Sequence, residues 1–237
     1  MSGVIEYTLY PSDQSPLHFH VPLDMPSETC ISPDPGSAPR WAYLQENQCS
    51  HCPLSTETHK LCPLAERVVP FVEKLSHLSS IEEMKVDVTQ FDRTRHMVAP
   101  VQDILGSLLG LFIATSDCPH TRFLKPMAYF HLPLADADET VYRVLSMYRL
   151  AQYFRKEKTG KAYAGFEILN DLYEAMIEVN HKLSKRMRAA LVEYENKQDG
   201  TINAVSLLDA LSLYVPASIE GAIKELEPVF NGYWDEI

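Results

Sequence analysis

Three cysteines lie close together in the stretch CSHCPLSTETHKLC, where metal or thiol chemistry is a natural hypothesis. Cys49 and Cys52 form a C-x-x-C pair, and Cys62 follows after nine intervening residues. A fourth cysteine, Cys118, lies much further along the chain and, like Cys52 and Cys62, precedes a proline. A tight C-x-x-C turn can aim two thiolates at one ion, and a structural zinc ion takes four ligands. The spacing therefore predicts a zinc site formed by Cys49, Cys52, Cys62 and Cys118.

Other residues and other metals fit the same pattern. Histidine can replace cysteine as a zinc ligand, so His51, His59 and His120 are the alternates for any one thiolate. An iron–sulfur cluster also takes four thiolates, which leaves iron as a second candidate cofactor. Cys30 stands alone in a proline-rich segment with no partner at ligand spacing, and we expect it to lie outside the site.

Three functions remain open for these cysteines. All-thiolate zinc sites are usually closed and stabilise the fold, which favours a binding or regulatory protein with a structural metal. A zinc-dependent hydrolase would instead use three ligands and a water. Cys49, Cys52 and one of Cys62, Cys118 or His120 could supply those ligands, with Glu46 or Glu57 as the base. A thiol or iron–sulfur redox sensor is the third reading, although Pro53 and the polar run STETHK indicate a loop rather than the βαβ setting of thioredoxin-like pairs.

A second candidate site consists of cations in an otherwise acidic protein. Arginine pairs with carboxylate and phosphate groups through two hydrogen bonds. If the segments FDRTRHM and CPHTRFLKP converge, they would form a pocket for a small anionic ligand from Arg93, Arg95, Arg122 and Lys125. The alternative is that these cations only offset nearby acidic residues. The basic run HKLSKRMR, residues 181–188, is interpreted as a solvated helix face.

The elements that must position these residues can be predicted from hydrophobic periodicity. Segments 4–9 and 17–21 alternate around the turn PSDQSP and predict a β-hairpin, with 84–92 as a third strand. Residues 24–40 hold four prolines and predict a loop. Helical patterns begin near Leu64 and Pro100, and further helices are expected at 136–160, 166–191, 202–214 and 218–231. The predicted fold class is α+β and mainly α: an N-terminal hairpin or small antiparallel sheet with metal-binding loops, then a bundle-like helical body. We expect a β and loop region over 1–99 and the helical body over 100–237, joined through the metal site.

Charge and hydropathy narrow the choice of partners and location. The formal net charge of −11 argues against nucleic acid and anionic membrane surfaces as partners. The most apolar run, ILGSLLGLFIATS at 104–116, is too short to span a bilayer and predicts a buried helix. The N-terminus shows no signal-peptide pattern, so the expected location is the cytoplasm. A protein partner is compatible with all of these features.

Several stretches resemble a family of uncharacterised bacterial proteins that is known as a domain of unknown function. The resemblance rests on WAYLQENQCSHCPL, CPLAERVVPFVEK, ATSDCPHTRFLKPMAYFHLP and SMYRLAQYFR, and it extends over most of the chain. It implies a bacterial, cytosolic origin. No activity is established for such a family, so the resemblance supplies no catalytic residues.

Overall fold

A four-stranded antiparallel sheet dominates the N-terminal part of the computed structural model, which describes residues 3–23, 38–193 and 199–234. The strand order is β2-β1-β3-β4. The strands are β1 (Val4–Tyr10), β2 (Leu17–Pro22), β3 (Glu83–Gln90) and β4 (Arg93–Pro100). The predicted hairpin and its third strand are thus confirmed. The proline-rich segment 24–37, which includes Cys30, lies outside the described residues.

Alternation along the strands produces one buried face. Ile5, Tyr7 and Leu9 are buried on β1, and Val86 and Val88 are buried on the neighbouring strand β3. Successive side chains of a strand point to opposite faces, so these residues form an apolar layer with charged and polar residues on the other side. This layer packs against the first helices of the chain and belongs to the main hydrophobic core.

The edge strand β4 was not predicted. It follows β3 through a two-residue turn in which Phe91 and Asp92 have φ of 46° and 62°. Two positive φ angles in succession are typical of the hairpin turns whose twist matches the flanking strands. The hydrophobic alternation of this strand, RTRHMVAP, is weak, and its residues are exposed or partly exposed. From sequence alone, this segment therefore stands out only as a source of cations.

The rest of the described chain is mainly helical. Its α-helices are α1 (Pro63–Leu75), α2 (Val101–Ala114), α3 (Lys125–Tyr129), α4 (Ala137–Thr159), α5 (Glu167–Glu193), α6 (Gly200–Leu226) and α7 (Asn231–Trp234). Short 3-10 helices occupy Arg40–Ala42, Arg122–Leu124 and Glu227–Phe230.

Two local predictions about helix ends and burial are confirmed. Asp136 caps α4 through a capping box with Glu139, and Gly160 ends the helix with φ of 71°. Helix α2 is buried along most of its length, as its apolar sequence predicted.

One helix prediction was wrong. Residues 202–214 and 218–231 were expected to form two helices separated at Pro216, but a single helix, α6, continues past Pro216 to Leu226, and a 3-10 helix follows it. Proline removes one backbone donor and disfavours the helical interior. Helix α6 packs against α2 and α5.

The fold class is α+β and mainly α, as predicted. One hydrophobic core contains residues of the sheet and of α1, α2, α5 and α6, so the two predicted regions share their interior. Whether the boundary at residues 99 and 100 separates two units stays a prediction. Within the ranges given above, no helix combines the length and apolarity needed to cross a membrane.

Candidate metal site

The four predicted cysteines line one small cavity between the loop region and the helices. Cys49, Cys52, Cys62 and Cys118 all contribute to its wall, together with His120. All four thiols are free of disulfide bonds. The cavity has a volume of about 30 Å³, which suffices for one water-sized guest and excludes a substrate molecule.

The C-x-x-C turn is held against helix α5. The amide of Cys52 donates to the carbonyl of Cys49 over 3.1 Å, which closes the turn. Glu178 on α5 then accepts hydrogen bonds from the amide of Ser50 at 2.7 Å and its hydroxyl at 2.8 Å. Its carboxylate also lies 2.6 Å from Nδ1 of His51. These bonds, with the Ser50 amide the largest cause, lower the pKa of Glu178 to about 2.

Cys62 is positioned by backbone pairing and by the start of α1. Tyr43 and Leu61 form an isolated antiparallel bridge, and the amide of Cys62 donates to the carbonyl of Ala42 at 2.9 Å. Cys62 is the N-cap residue of α1, and Pro63 occupies the first helical turn. Pro63 suits that position because its missing N–H would have no intrahelical partner there.

Cys118 follows the C-terminus of α2 in a tight, buried turn. The amide of Cys118 donates to the hydroxyl of Ser116, and the amide of Thr121 donates to the carbonyl of Cys118. Burial raises the pKa of the Cys118 thiol to about 11, although backbone hydrogen bonds from His120 and Thr121 act in the opposite direction. Burial, followed by charge repulsion from Cys62 and Cys118, raises the pKa of Cys49 to about 12.

Helix α5 supplies a buried cation at the wall of the same cavity. Arg186 donates through Nη1 to the carbonyls of Trp41 at 2.6 Å and Tyr43 at 2.8 Å, and through Nη2 to that of Leu44 at 3.2 Å. Burial lowers the pKa of Arg186, whereas the nearby thiols favour its charged form. The interpretation of residues 181–188 as a solvated face is therefore wrong at Arg186, since the residue is almost fully buried.

The donor set fits a soft metal ion, although the side chains are not arranged as a finished metal centre. In the described parts of the chain, no three His, Cys, Asp or Glu side chains form a group that could hold an ion as they stand. Thiolate sulfur is a preferred ligand type for zinc.

The histidine alternates differ in position. His51 stacks edge-on against His120, with ring centroids 4.1 Å apart. Nε2 of His51 is buried and has no hydrogen-bond partner among the described residues, while Nε2 of His120 lies 3.0 Å from the carbonyl of His51. His59 is exposed and does not line the cavity.

The other predicted site residues lie away from this cavity. Glu46 pairs with Arg40 at 3.1 Å, and Glu57 is exposed, so neither lines the cavity as a base would. Arg93 and Arg95 lie on β4, whereas Arg122 and Lys125 lie in the short helices after α2. None of these four cations lines the cysteine cavity or a larger cavity between α2, α3, α4 and α6. Their convergence on an anion stays a prediction.

Sequence reasoning missed Glu178 and Arg186 as parts of the site. Both lie far from the cysteines in sequence, on α5, and reach the loop region only through tertiary packing. A partial signal was present, because Val179, Leu183 and Arg186 recur at spacings of four and three, which places them on one helix face. The residues Val179 and Leu183 also line the cavity.

Comparisons with known proteins place the chain in a family but give no match to a curated protein or a solved structure. A family described as "Domain of unknown function (DUF6901)" matches residues 5–231, nearly the whole chain. The bacterial origin that the resemblance implied stays an expectation. Because the family model matches nearly the whole chain, the protein belongs to the family of the domain of unknown function DUF6901.

Proposed function

We propose that this protein binds one zinc ion through Cys49, Cys52, Cys62 and Cys118, and that the ion has a structural role. The observation that carries this proposal is the meeting of four cysteines from separate parts of the sequence at one small cavity. Cys52, Cys62 and Cys118 each precede a proline. Proline fixes one backbone torsion, which limits the freedom of these turns before a metal binds.

The surroundings of the thiols support a bound cation. Thiols that are buried close together repel each other when ionised, and a divalent ion would reverse that effect because it binds the thiolate form. Backbone N–H groups of His120 and Thr121 lie at Cys118, and such donors orient and stabilise a metal-bound sulfur. Iron would also accept four thiolates, so the metal must be identified directly.

The small volume of the cavity favours a structural role over catalysis. A catalytic zinc ion needs an open position for water and substrate. A cavity of about 30 Å³ has room for an ion or a water molecule and nothing larger. We therefore infer a cytoplasmic binding or regulatory module, in which a reducing environment keeps the thiols available for the metal.

Elemental analysis of the purified protein tests the proposal. We expect about one zinc per chain, and release of that zinc when a mercurial reagent titrates the thiols. Cys52→Ser should lose most of the metal, whereas Cys30→Ser, the matched control for loss of a thiol, should keep it. A folded wild-type preparation without bound metal, which also takes up no zinc on addition, would contradict the proposal.

A further inference from the structure

A second and much larger cavity lies between α2, α3, α4 and α6. Its volume is about 830 Å³, within the usual range for small-molecule sites. Most of its wall is apolar. Representative lining residues are Gly106, Gly110, Ala114, Met127, Ala128 and Leu207.

Small residues form the α2 side of this cavity, close to α6. Gly106, Gly110 and Ala114 recur every four residues, which places them on one face of the helix. A Cβ atom at Gly106 or Gly110 would come no closer than 3.6 Å to the nearest side chain of α6. At Gly106 the new atom would also lie 3.9 Å from the backbone carbonyl oxygen of Ala204, whereas at Gly110 the side chain of Leu208 is its one described neighbour within 4 Å outside the backbone of α2. A larger side chain therefore has room to extend into the cavity only at Gly110.

One arginine that lines the cavity, Arg143, makes no ion pair at contact distance with any described residue, although Glu139, one turn earlier on α4, acts on it electrostatically. Arg143 on α4 uses Nη2 to donate to the carbonyls of Met127 at 2.9 Å and Phe130 at 2.8 Å. Among the described residues, no Asp or Glu oxygen lies within ion-pair distance of its guanidinium. Nη1 and Nε make no hydrogen bond within the same ranges. Burial lowers the pKa of Arg143, which reflects the cost of keeping this cation partly away from water.

Neutral polar groups also lie at this end of the cavity. His131 also lines the cavity, and its Nε2 lies 2.5 Å from the hydroxyl of Tyr7, which in turn lies 2.9 Å from the hydroxyl of Ser107. Arg95 on β4 is close enough to act electrostatically on both Tyr7 and His131.

The acidic residues of the cavity belong elsewhere along its wall. Asp136 lies seven positions before Arg143 on α4, which corresponds to about 10 Å along the helix axis. Its carboxylate is engaged as the N-cap and accepts a hydrogen bond from the amide of Glu139 at 2.8 Å. Asp103 lies in the first turn of α2. An anionic group is therefore best placed beside Arg143 and not at the end that holds Asp136.

We propose that this cavity binds an apolar organic acid, with its carboxylate paired to Arg143 and its hydrocarbon part lying along the small-residue face of α2. An apolar wall selects a hydrocarbon body, and a partly buried guanidinium favours a carboxylate through charge-assisted hydrogen bonds. This site is separate from the cysteine cavity and shares no lining residue with it.

Fluorescence titration with cis-parinaric acid and its methyl ester tests both parts of the proposal. The ester keeps the hydrocarbon body and removes the charge. We expect saturable binding of the acid to the wild-type protein. Arg143→Gln should weaken binding of the acid tenfold or more and change binding of the ester by less than about twofold, since only the acid carries a charge.

Two further variants separate specific binding from general damage. Gly110→Leu should fill the cavity from the opposite wall and abolish saturable binding of both probes. Arg155→Gln removes the same charge from an exposed position on the same helix and should bind both probes as the wild type does. Circular dichroism and thermal melting would verify that each variant is folded.

Three results would overturn the proposal. The first is no saturable binding of the acid to the wild-type protein. The second is unchanged binding by a folded Gly110→Leu variant. The third is an Arg143→Gln effect that is equal for acid and ester, or equal to that of Arg155→Gln, because the carboxylate would then not pair with Arg143.

Discussion

Single residues on α5 connect the cysteine loops to the helices. Arg186 donates to three main-chain carbonyls of the segment that leads to the C-x-x-C turn. Glu178 receives hydrogen bonds from the turn itself. One cation and one carboxylate on the same helix thus hold the backbone that carries Cys49 and Cys52. The local geometry of the cysteine site depends on these two contacts.

Replacing Arg186 should destabilise the protein strongly. Arg186→Met keeps much of the volume and removes three hydrogen bonds from a charged donor, leaving buried carbonyls without partners. Each such bond contributes about 1.5–3 kcal/mol, so we expect the free energy of unfolding to fall by more than about 3 kcal/mol. Urea denaturation measures this change.

Arg188→Gln is the matched control for Arg186→Met. Arg188 is exposed on the same helix, and surface substitutions usually change stability by less than about 0.5 kcal/mol. Equal effects of the two substitutions would show that the hydrogen bonds of Arg186 do not stabilise the loop region.

His131 should make stability depend on pH. Burial, together with the charges of Arg143 and Arg95, lowers the pKa of His131 to about 3. In the unfolded chain histidine titrates near 6.5, so between these values the unfolded state binds a proton that the folded state does not. Stability is therefore complete above about pH 6.5 and falls as the pH decreases towards 3, by up to about 1.4 kcal/mol per pH unit.

His131→Gln should remove this part of the pH dependence. The variant lacks the titrating ring, so the difference in unfolding free energy between wild type and variant should shrink as the pH decreases from 6.5 to 4. His181→Gln, at an exposed position on α5, is the control and should leave the slope unchanged. A wild-type slope that survives in His131→Gln would contradict the assignment.

At the scale of elements, the start of α6 makes a close backbone approach to the loop after α1. The amide of Gly200 donates to the carbonyl of Leu78 at 3.1 Å. Asp199 accepts hydrogen bonds from the amide of Ser80 at 2.9 Å and from its hydroxyl at 3.0 Å. A Cβ atom at Gly200 would lie 2.7 Å from the carbonyl oxygen of Leu78. The docking of this long helix therefore requires glycine at its first residue.

Two glycines of α6 should respond in opposite directions to alanine. Gly200→Ala should lower the unfolding free energy by about 1–3 kcal/mol, since the new methyl group collides with backbone. Among the described residues, and apart from the backbone of its own helix, a Cβ atom at Gly221 would meet nothing within 4 Å, so Gly221→Ala should stabilise by about 0.5–1 kcal/mol through helix propensity. Chemical denaturation of both variants provides the comparison, and a stabilising Gly200→Ala would refute the close approach.

At the scale of the whole molecule, the proposed zinc ion would cross-link distant segments of the chain. Cys49 and Cys52 lie in the loop region, Cys62 begins α1, and Cys118 follows α2. In a chain-entropy account by analogy with a disulfide, closing the long loop between Cys62 and Cys118 contributes on the order of 4 kcal/mol to the free energy of unfolding. The metal would thus stabilise the arrangement of the sheet, the loops and the helices together.

Cys118→Ser should therefore lower both zinc content and melting temperature about as much as Cys52→Ser. The two residues are far apart in sequence but would share one ion, and loss of either leaves it short of a ligand. Cys30→Ser should change neither quantity. If Cys118→Ser keeps full zinc while Cys52→Ser loses it, the fourth ligand is another residue, with His51 and His120 as the next candidates.

Local sequence determined much of the secondary structure. It also indicated the C-x-x-C part of the proposed metal site, Cys49 and Cys52. The alternation of Ile5, Tyr7 and Leu9 predicted a strand because side-chain direction in a strand depends only on neighbouring residues. Asp136 and Glu139 predicted the start of α4 for the same reason, since a capping box is formed within four residues. The spacing of Cys49 and Cys52 likewise indicated a tight turn.

Tertiary structure alone decided which distant residues meet. The position of Cys118 beside Cys62, and of Glu178 and Arg186 beside the C-x-x-C turn, follows from how α2 and α5 pack on the core. Packing also made Arg186 buried in a run that looked solvated, and helix α6 continues past Pro216. Sequence periodicity describes which face of an element is apolar, but it contains no information about which other element will cover that face.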